Sequence, residues 1–141
     1  MSDDEAAIRR ILEDRRHALR AKDAEALVGH DAPDILSYDL APPLANRGAD
    51  LDAIRRWLDT WVGSIDLDLQ DLRIDVADGL AVSTGLSRMR GTKTDGVKLD
   101  LWVRATMAYR KIDGRWTVIH EHVSVPFYMD GSERAALDLK P

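Results

Sequence analysis

Apolar residues recur with two different periods along this chain, and the change falls near residue 65. Before it they keep the three-to-four spacing of a helix face. Ile8, Ile11, Leu12 and Leu19 form one stripe, and position 15, on the same stripe, is Arg. Ser2 and Glu5 precede it with the spacing of a capping box, which predicts a first helix from there. Asp23 caps a short second helix that runs to about Val28 and stops at Gly29. A short strand is expected over 35–40, and Pro42, Pro43 and Gly48 mark the loop after it. Asp50 caps a third helix with Leu51, Ile54, Trp57, Leu58 and Trp61 on its stripe.

From Ile65 onward the period becomes two. Ile65, Leu67 and Leu69 alternate with polar residues, then Leu72, Ile74 and Val76 do the same one step out of phase. The slip at Gln70-Asp71 predicts a β-bulge and a bend. Asp78-Gly79, Asp95-Gly96 and Asp113-Gly114 are hairpin-turn pairs separating strands over 80–90, 97–110 and from Arg115 to a stop at Pro126. Helices first and a meander afterwards predict an α+β fold: a cone-like curved antiparallel sheet wrapped around three N-terminal helices, in one domain over 1–141.

Parity sorts the strand faces. Val97, Leu99, Leu101, Val103, Ala105 and Met107 are all apolar and should meet the helices, whereas Trp102, Arg104 and Thr106 face the other way. On the last strand strict alternation puts Ile119, Glu121, Val123 and Val125 inward. It puts Trp116, Val118, His120, His122 and Ser124 outward.

Composition narrows the classes. The 141 residues are 45% apolar, enough for a core, and contain no Cys, so disulfides, thiolate metal sites and a cysteine nucleophile are excluded. A net charge of −5 opposes a nucleic-acid ligand. The arginines at 9, 10, 15, 16 and 20 are interleaved with Glu5, Glu13 and Asp14, as on a solvated helix face. The first residues lack a targeting pattern and no stretch is apolar enough for a bilayer, so no membrane partner and a cytoplasmic location are expected.

The order of elements and the closing pattern Asp113-Gly114-Arg115-Trp116, then His120-Glu121-His122-Val123-Ser124, resemble the nuclear transport factor 2-like superfamily, in particular its SnoaL-like and ketosteroid-isomerase-like members. The run Asp23 to Val28, then Asp34 to Asp39, then Asn46-Arg47-Gly48, is similar to the steroid isomerases without a gap. On that match Asp39 falls on their general base. Their tyrosine oxyanion donor falls on Arg15, and their late-strand acid falls near Thr106 or Met107, so one of three catalytic positions agrees. The resemblance implies a small apolar or carbonyl-bearing ligand and proton transfer of isomerase, cyclase or dehydratase type, without cofactor. The same fold hosts non-catalytic ligand-binding and oligomerisation modules, such as the association domain of the calcium/calmodulin-dependent kinase.

Each candidate has a plainer reading. Asp39 could be a carboxylate base raised in pKa by an apolar pocket, or an acceptor for its own loop. Arg15 could hold a substrate oxygen, or snorkel. Glu121 could be a second acid/base, or the ion-pair partner of Arg15. Tyr38, Trp57, Leu58 and Trp61, with Val103, Ala105 and Met107, could enclose a pocket shared by Asp39 and Arg15, or simply pack. His120 and His122, about 7 Å apart on one face, have metal-chelating spacing, but no third ligand is evident. With Trp102, Arg104 and Trp116 they are expected instead to form a homodimer interface.

Overall fold

The computed structural model describes residues 2–141. Helix α1 (Asp3–Ala21) starts where the Glu5 N–H donates to Ser2 Oγ at 3.1 Å, and it ends at Lys22 in the left-handed region with φ 53°. Asp23 and Asp50 cap α2 (Ala24–Leu27) and α3 (Leu51–Leu58), each accepting a backbone N–H at 3.0 Å. The strands are β1 (Asp31–Tyr38), β2 (Asn46–Arg47), β3 (Trp61–Ala77), β4 (Leu80–Lys93), β5 (Lys98–Ile112) and β6 (Arg115–Ser124). They form one curved, open sheet in the order β2-β1-β6-β5-β4-β3.

Strands β3 to β6 are the antiparallel meander, turned at Asp78-Gly79 and Asp113-Gly114 with positive φ at both residues of each pair. The sheet as a whole is mixed rather than antiparallel, because β1 pairs with β6 in parallel. No hairpin joins those two strands, and the whole meander separates them in sequence, so their direction is free of any turn constraint.

Two bulges decide which side chains enter the cone. In β3 the register shifts between Gln70 and Arg73, with Asp71 at φ 56°, which keeps both apolar sets of that strand on one face. In β6 Ala108 faces His120 while Tyr109 faces Val118, so Ile119 is an extra residue. That bulge corrects strict alternation. Trp116 and Val118 are buried in the core, and Glu121 enters the same interior, while His120 and His122 stay outside. Trp116 therefore leaves the expected interface face, and its indole N–H donates to Asp4 Oδ1 at 2.8 Å.

Helix α1 crosses the concave side against β3 and β6. Ile8 and Ile11 pack there with Ile35, Ala81, Met107, Tyr109, Trp116 and Val118. A second cluster holds Ala24, Leu58, Trp61 and Ile65. Trp61 opens β3 instead of ending α3, and its ring lies so close to Gly91 that a Cβ there would meet it at 2.8 Å. Edge strand β3 is covered by α1, where Arg16 Nε donates to Leu67 O at 2.6 Å and Lys22 Nζ to Trp61 O at 2.9 Å. Among the described residues no helix is long and apolar enough to cross a membrane.

Candidate functional site

Arg15 stands on the buried stripe of α1, and the fold answers its charge with two acids. Its Nη1 donates to Asp31 Oδ1 at 3.0 Å, and its Nη2 donates to Glu121. Asp31 is the first residue of β1, tied by its N–H to Val28 O at 3.0 Å. Glu121 comes from β6, opposite Met107 of β5 and Ser37 of β1. The side chains of Arg15, Asp31 and Glu121 are 15%, 10% and 17% exposed, so the cluster is enclosed but touches solvent.

A hydroxyl pair is part of the same interior. Tyr109 is fully buried, and its hydroxyl lies 2.8 Å from Ser83 Oγ and donates to Met107 Sδ at 3.6 Å. Burial pushes the Tyr109 pKa up to about 12, against the opposing effects of Ser83 and the Arg15 charge, and the nearby Glu121 charge adds to the rise. Tyr109 is thus a neutral hydrogen-bonding group at any physiological pH. Burial raises Asp31 above the ordinary aspartate value; the attraction of Arg15 only partly offsets this, and the Glu121 charge adds to it. Burial works against the Arg15 charge, but Glu121 and then Asp31 more than reverse that, and its pKa is raised.

The other expected site residues lie elsewhere. Asp39 follows β1 on the exposed loop and accepts from Asn46 Nδ2 at 3.3 Å. The acids that meet Arg15 are Asp31 and Glu121, so the expected meeting of Asp39 and Arg15 is not what the structure shows. Tyr38 is on the outer face, edge-on to His120 at 4.9 Å and His122 at 5.2 Å between ring centroids, and not in a pocket with Trp57 and Trp61. Trp57 is 39% exposed and meets Trp61 edge-on at 5.8 Å. Val103 is buried and Ala105 half-buried. Leu58 and Trp61 therefore pack in one core cluster and Met107 in the other, and Met107 is the one that reaches the Tyr109 hydroxyl.

Asp31 was not among the sequence candidates. Pro33 and Asp34 hide the start of its strand. Strict alternation does not point to it either, because Ala32 and Ile35 are buried with exposed Pro33 and Asp34 between them, and the pairing of β1 with β6 shifts register between Asp31 and Leu36.

Residues 8–128 match the family model of the SnoaL-like domain. The chain belongs to the SnoaL-like family. It is similar to a nuclear transport factor 2-like protein of unknown function from Pseudomonas putida KT2440, at 32% identity and TM-score 0.86, over 97% of this chain and 96% of that one. A candidate scytalone dehydratase from Novosphingobium aromaticivorans DSM 12444 shares the fold at 20% identity and TM-score 0.74, over 98% and 94% of the two chains. A candidate calcium/calmodulin-dependent protein kinase II association domain from Xanthomonas campestris shares it at 21% identity and TM-score 0.69, over 83% and 84%. No curated protein matches.

This SnoaL-like chain has a second polar aromatic group on the outer sheet face. His120 Nδ1 lies 2.7 Å from Leu36 O, the two imidazole centroids are 6.3 Å apart, and Arg104 Nε donates to Ser124 Oγ at 3.1 Å. No group of three His, Cys, Asp or Glu suited to a metal occurs among the described residues. Two surface grooves flank α1, of about 230 Å³ beside Arg16, Arg20, Asp66 and Arg90, and of about 480 Å³ beside Ala18, Ala26 and His30.

Proposed function

We propose that this SnoaL-like protein binds a small carbonyl-bearing molecule inside the cone and moves a proton on it without a cofactor. Glu121 is the proton acceptor, and Arg15 is the cation that receives the carbonyl oxygen as negative charge develops on it. The observation that carries this reading is Arg15 held inside the cone between two carboxylates, beside a buried hydroxyl pair. Proton abstraction next to a carbonyl needs a base and a charge stabiliser within reach of one position. Tyr109 and Ser83 can supply a neutral hydrogen bond to the same oxygen, since Tyr109 keeps its proton. A ligand that takes over one of the contacts of Arg15 frees a carboxylate to act. The candidate dehydratase among the structural neighbours fits a reaction of this type.

The test is solvent exchange. Wild-type protein is incubated with a cyclic ketone in D2O, and loss of the α-proton signal is followed by NMR. Exchange above the buffer rate is expected, falling about 100-fold or more in Glu121→Gln, the usual size of a general-base contribution. Buffer-level exchange in the wild type would refute the reading.

A second reading is a non-catalytic module that binds or assembles through the sheet. It is favoured by the Tyr38, His120 and His122 group on the outer face. On either reading the chain pairs with a second copy through the face that holds Trp102, Arg104, His120 and His122.

A further inference from the structure

The geometry points to a second binding site, on the flank of α1 that packs against β3: a groove that takes a phosphate group. It is independent of the chemistry inside the cone. Arg15 reaches β1 and β6, whereas its neighbour Arg16 reaches β3, donating from Nε to Leu67 O at 2.6 Å. Beside that contact lies a groove of about 230 Å³, to which α1 brings Arg16 and Arg20, β3 brings Asp66 and Asp68, and β4 brings Arg90. Sites for drug-sized ligands run to roughly 300–1,000 Å³, so this one suits a small charged group.

The chain carries a net charge of −5, yet in this groove three guanidiniums meet only two carboxylates. Asp68 is shared between two of them. Arg16 Nη2 donates to its Oδ1 at 3.3 Å, and Arg90 Nη2 donates to its Oδ2 at 2.6 Å. Glu13, also on α1, accepts from Arg16 Nη1 at 3.4 Å. The shared aspartate holds two cations side by side, and a guanidinium has five N–H donors, so neither is exhausted. Arg20 is held more loosely. Its Nη1 stands 3.7 Å from Asp66 Oδ1, beyond hydrogen-bond length, and its side chain is 68% exposed. It is free to swing onto a bound anion.

Two unpaired atoms indicate which anion. Among the described residues three buried side-chain polar atoms have no hydrogen-bond partner, and two of them, Arg90 Nε and Asp66 Oδ1, belong to residues of this groove. One is a donor and the other an acceptor. A buried polar group left unpaired is costly, so both favour a ligand that answers them. A fully ionised oxyanion such as sulfate can accept from the arginines but has no proton to give Asp66. A phosphate group that keeps one proton offers both, P–O⁻ to the guanidiniums and P–OH to Asp66 Oδ1. Both atoms are covered in the free chain, and the ligand opens them by drawing exposed Arg20 off Asp66 and turning half-exposed Arg90.

Amide NMR titrations of the protein at about pH 6, where a phosphate monoester keeps one proton roughly half the time, test the site. The probes are inorganic phosphate, phenyl phosphate and sulfate at matched ionic strength. The amides of Leu67, Asp68 and Arg90 should shift saturably with either phosphate, and sulfate should bind about 10-fold more weakly. Arg20→Ala, a change at an exposed side chain, should weaken phosphate about 10-fold, the size of one lost charge-assisted hydrogen bond. Asp66→Asn should keep binding and erase the preference for phosphate over sulfate. Tighter binding of phenyl phosphate than of inorganic phosphate would support the site as one for an ester, and equal or weaker binding would support it as one for free phosphate. Sulfate bound as tightly as phosphate by the wild type would reduce the groove to bare charge attraction and overturn the proposal. Shifts that never saturate, or that survive Arg20→Ala unchanged, would overturn it as well.

Discussion

Arg15 and Glu121, 106 residues apart in sequence, meet inside the cone. One belongs to the first helix and the other to the last strand, so their contact closes the chain on itself across the concave side. The pair forms because the bulge at Ile119 turns Glu121 inward and because Arg15 lies on the stripe of Ile8 and Ile11. With Asp31 it places one cation among two anions in a partly dry interior.

Removing the cation leaves two carboxylates enclosed and mutually repelling. Arg15→Met is expected to destabilise the fold at neutral pH by about 3–5 kcal/mol, the usual cost of stripping one partner from a buried ion pair. The loss should shrink as pH falls and the acids take up protons. Urea unfolding at pH 7 and at pH 4 measures both effects.

Asp31→Asn should behave differently. The folded-state pKa of Asp31 is raised, so its titration stabilises the fold below the ordinary aspartate value, and that contribution is lost as pH climbs through the raised one. At neutral pH its ionised form is therefore a net cost. An amide of the same shape can still accept from Arg15, whose charge remains answered by Glu121. The urea midpoint of Asp31→Asn at pH 7 should lie near or above the wild-type value, in contrast with that of Arg15→Met.

Tyr109 sets an alkaline limit. Its pKa rises from the ordinary 10 to about 12 in the folded chain, so between those values the unfolded state loses the proton first and stability falls. Two units correspond to roughly 2–3 kcal/mol. Tyr109→Phe should remove that alkaline slope. Below pH 10 it should cost about 1–3 kcal/mol, because Ser83 loses its partner. Thermal unfolding across pH 8 to 12 would show a persisting slope if this is wrong.

Gly91 is required by Trp61. A Cβ at that position would stand 2.8 Å from two ring carbons of a buried indole that has no room to move. Gly91→Ala should cost about 1–3 kcal/mol by overpacking. An unchanged melting temperature would contradict the packing described here.

Much of this fold is legible in period and punctuation. The caps at Ser2, Asp23 and Asp50, the Asp-Gly turns and the slip at Gln70-Asp71 are local signals, and the structure places each where local chemistry demands. The second bulge is different. No Gly or polar pair marks Ile119, the extra β6 residue opposite the Ala108–Tyr109 step of β5, and so Trp116 reads as outward from sequence. The parallel pairing of β1 with β6 is also nonlocal, and it is what brings Asp31 to Arg15. Arg15 and Glu121 are legible because each interrupts an apolar series. Asp39 is suggested by resemblance alone, and the loop that carries it turns to solvent.

The outer sheet face predicts a homodimer. Trp102, Arg104, Tyr38, His120 and His122 give it the mixed aromatic and cationic character of interface centres. A standard interface buries about 800 Å² per partner. Sedimentation at micromolar concentration should give a dimer, weakened in His122→Glu, and a clean monomer for the wild type would contradict it.

The most direct test of the interior site is a crystal structure of the protein soaked with a cyclic ketone. The probe oxygen should lie within hydrogen-bond distance of the Arg15 guanidinium or the Tyr109–Ser83 hydroxyls, with a Glu121 oxygen facing the α-carbon. A probe seated only in the grooves beside α1 or on the outer sheet face, with Arg15 still closed on both acids, would contradict the account.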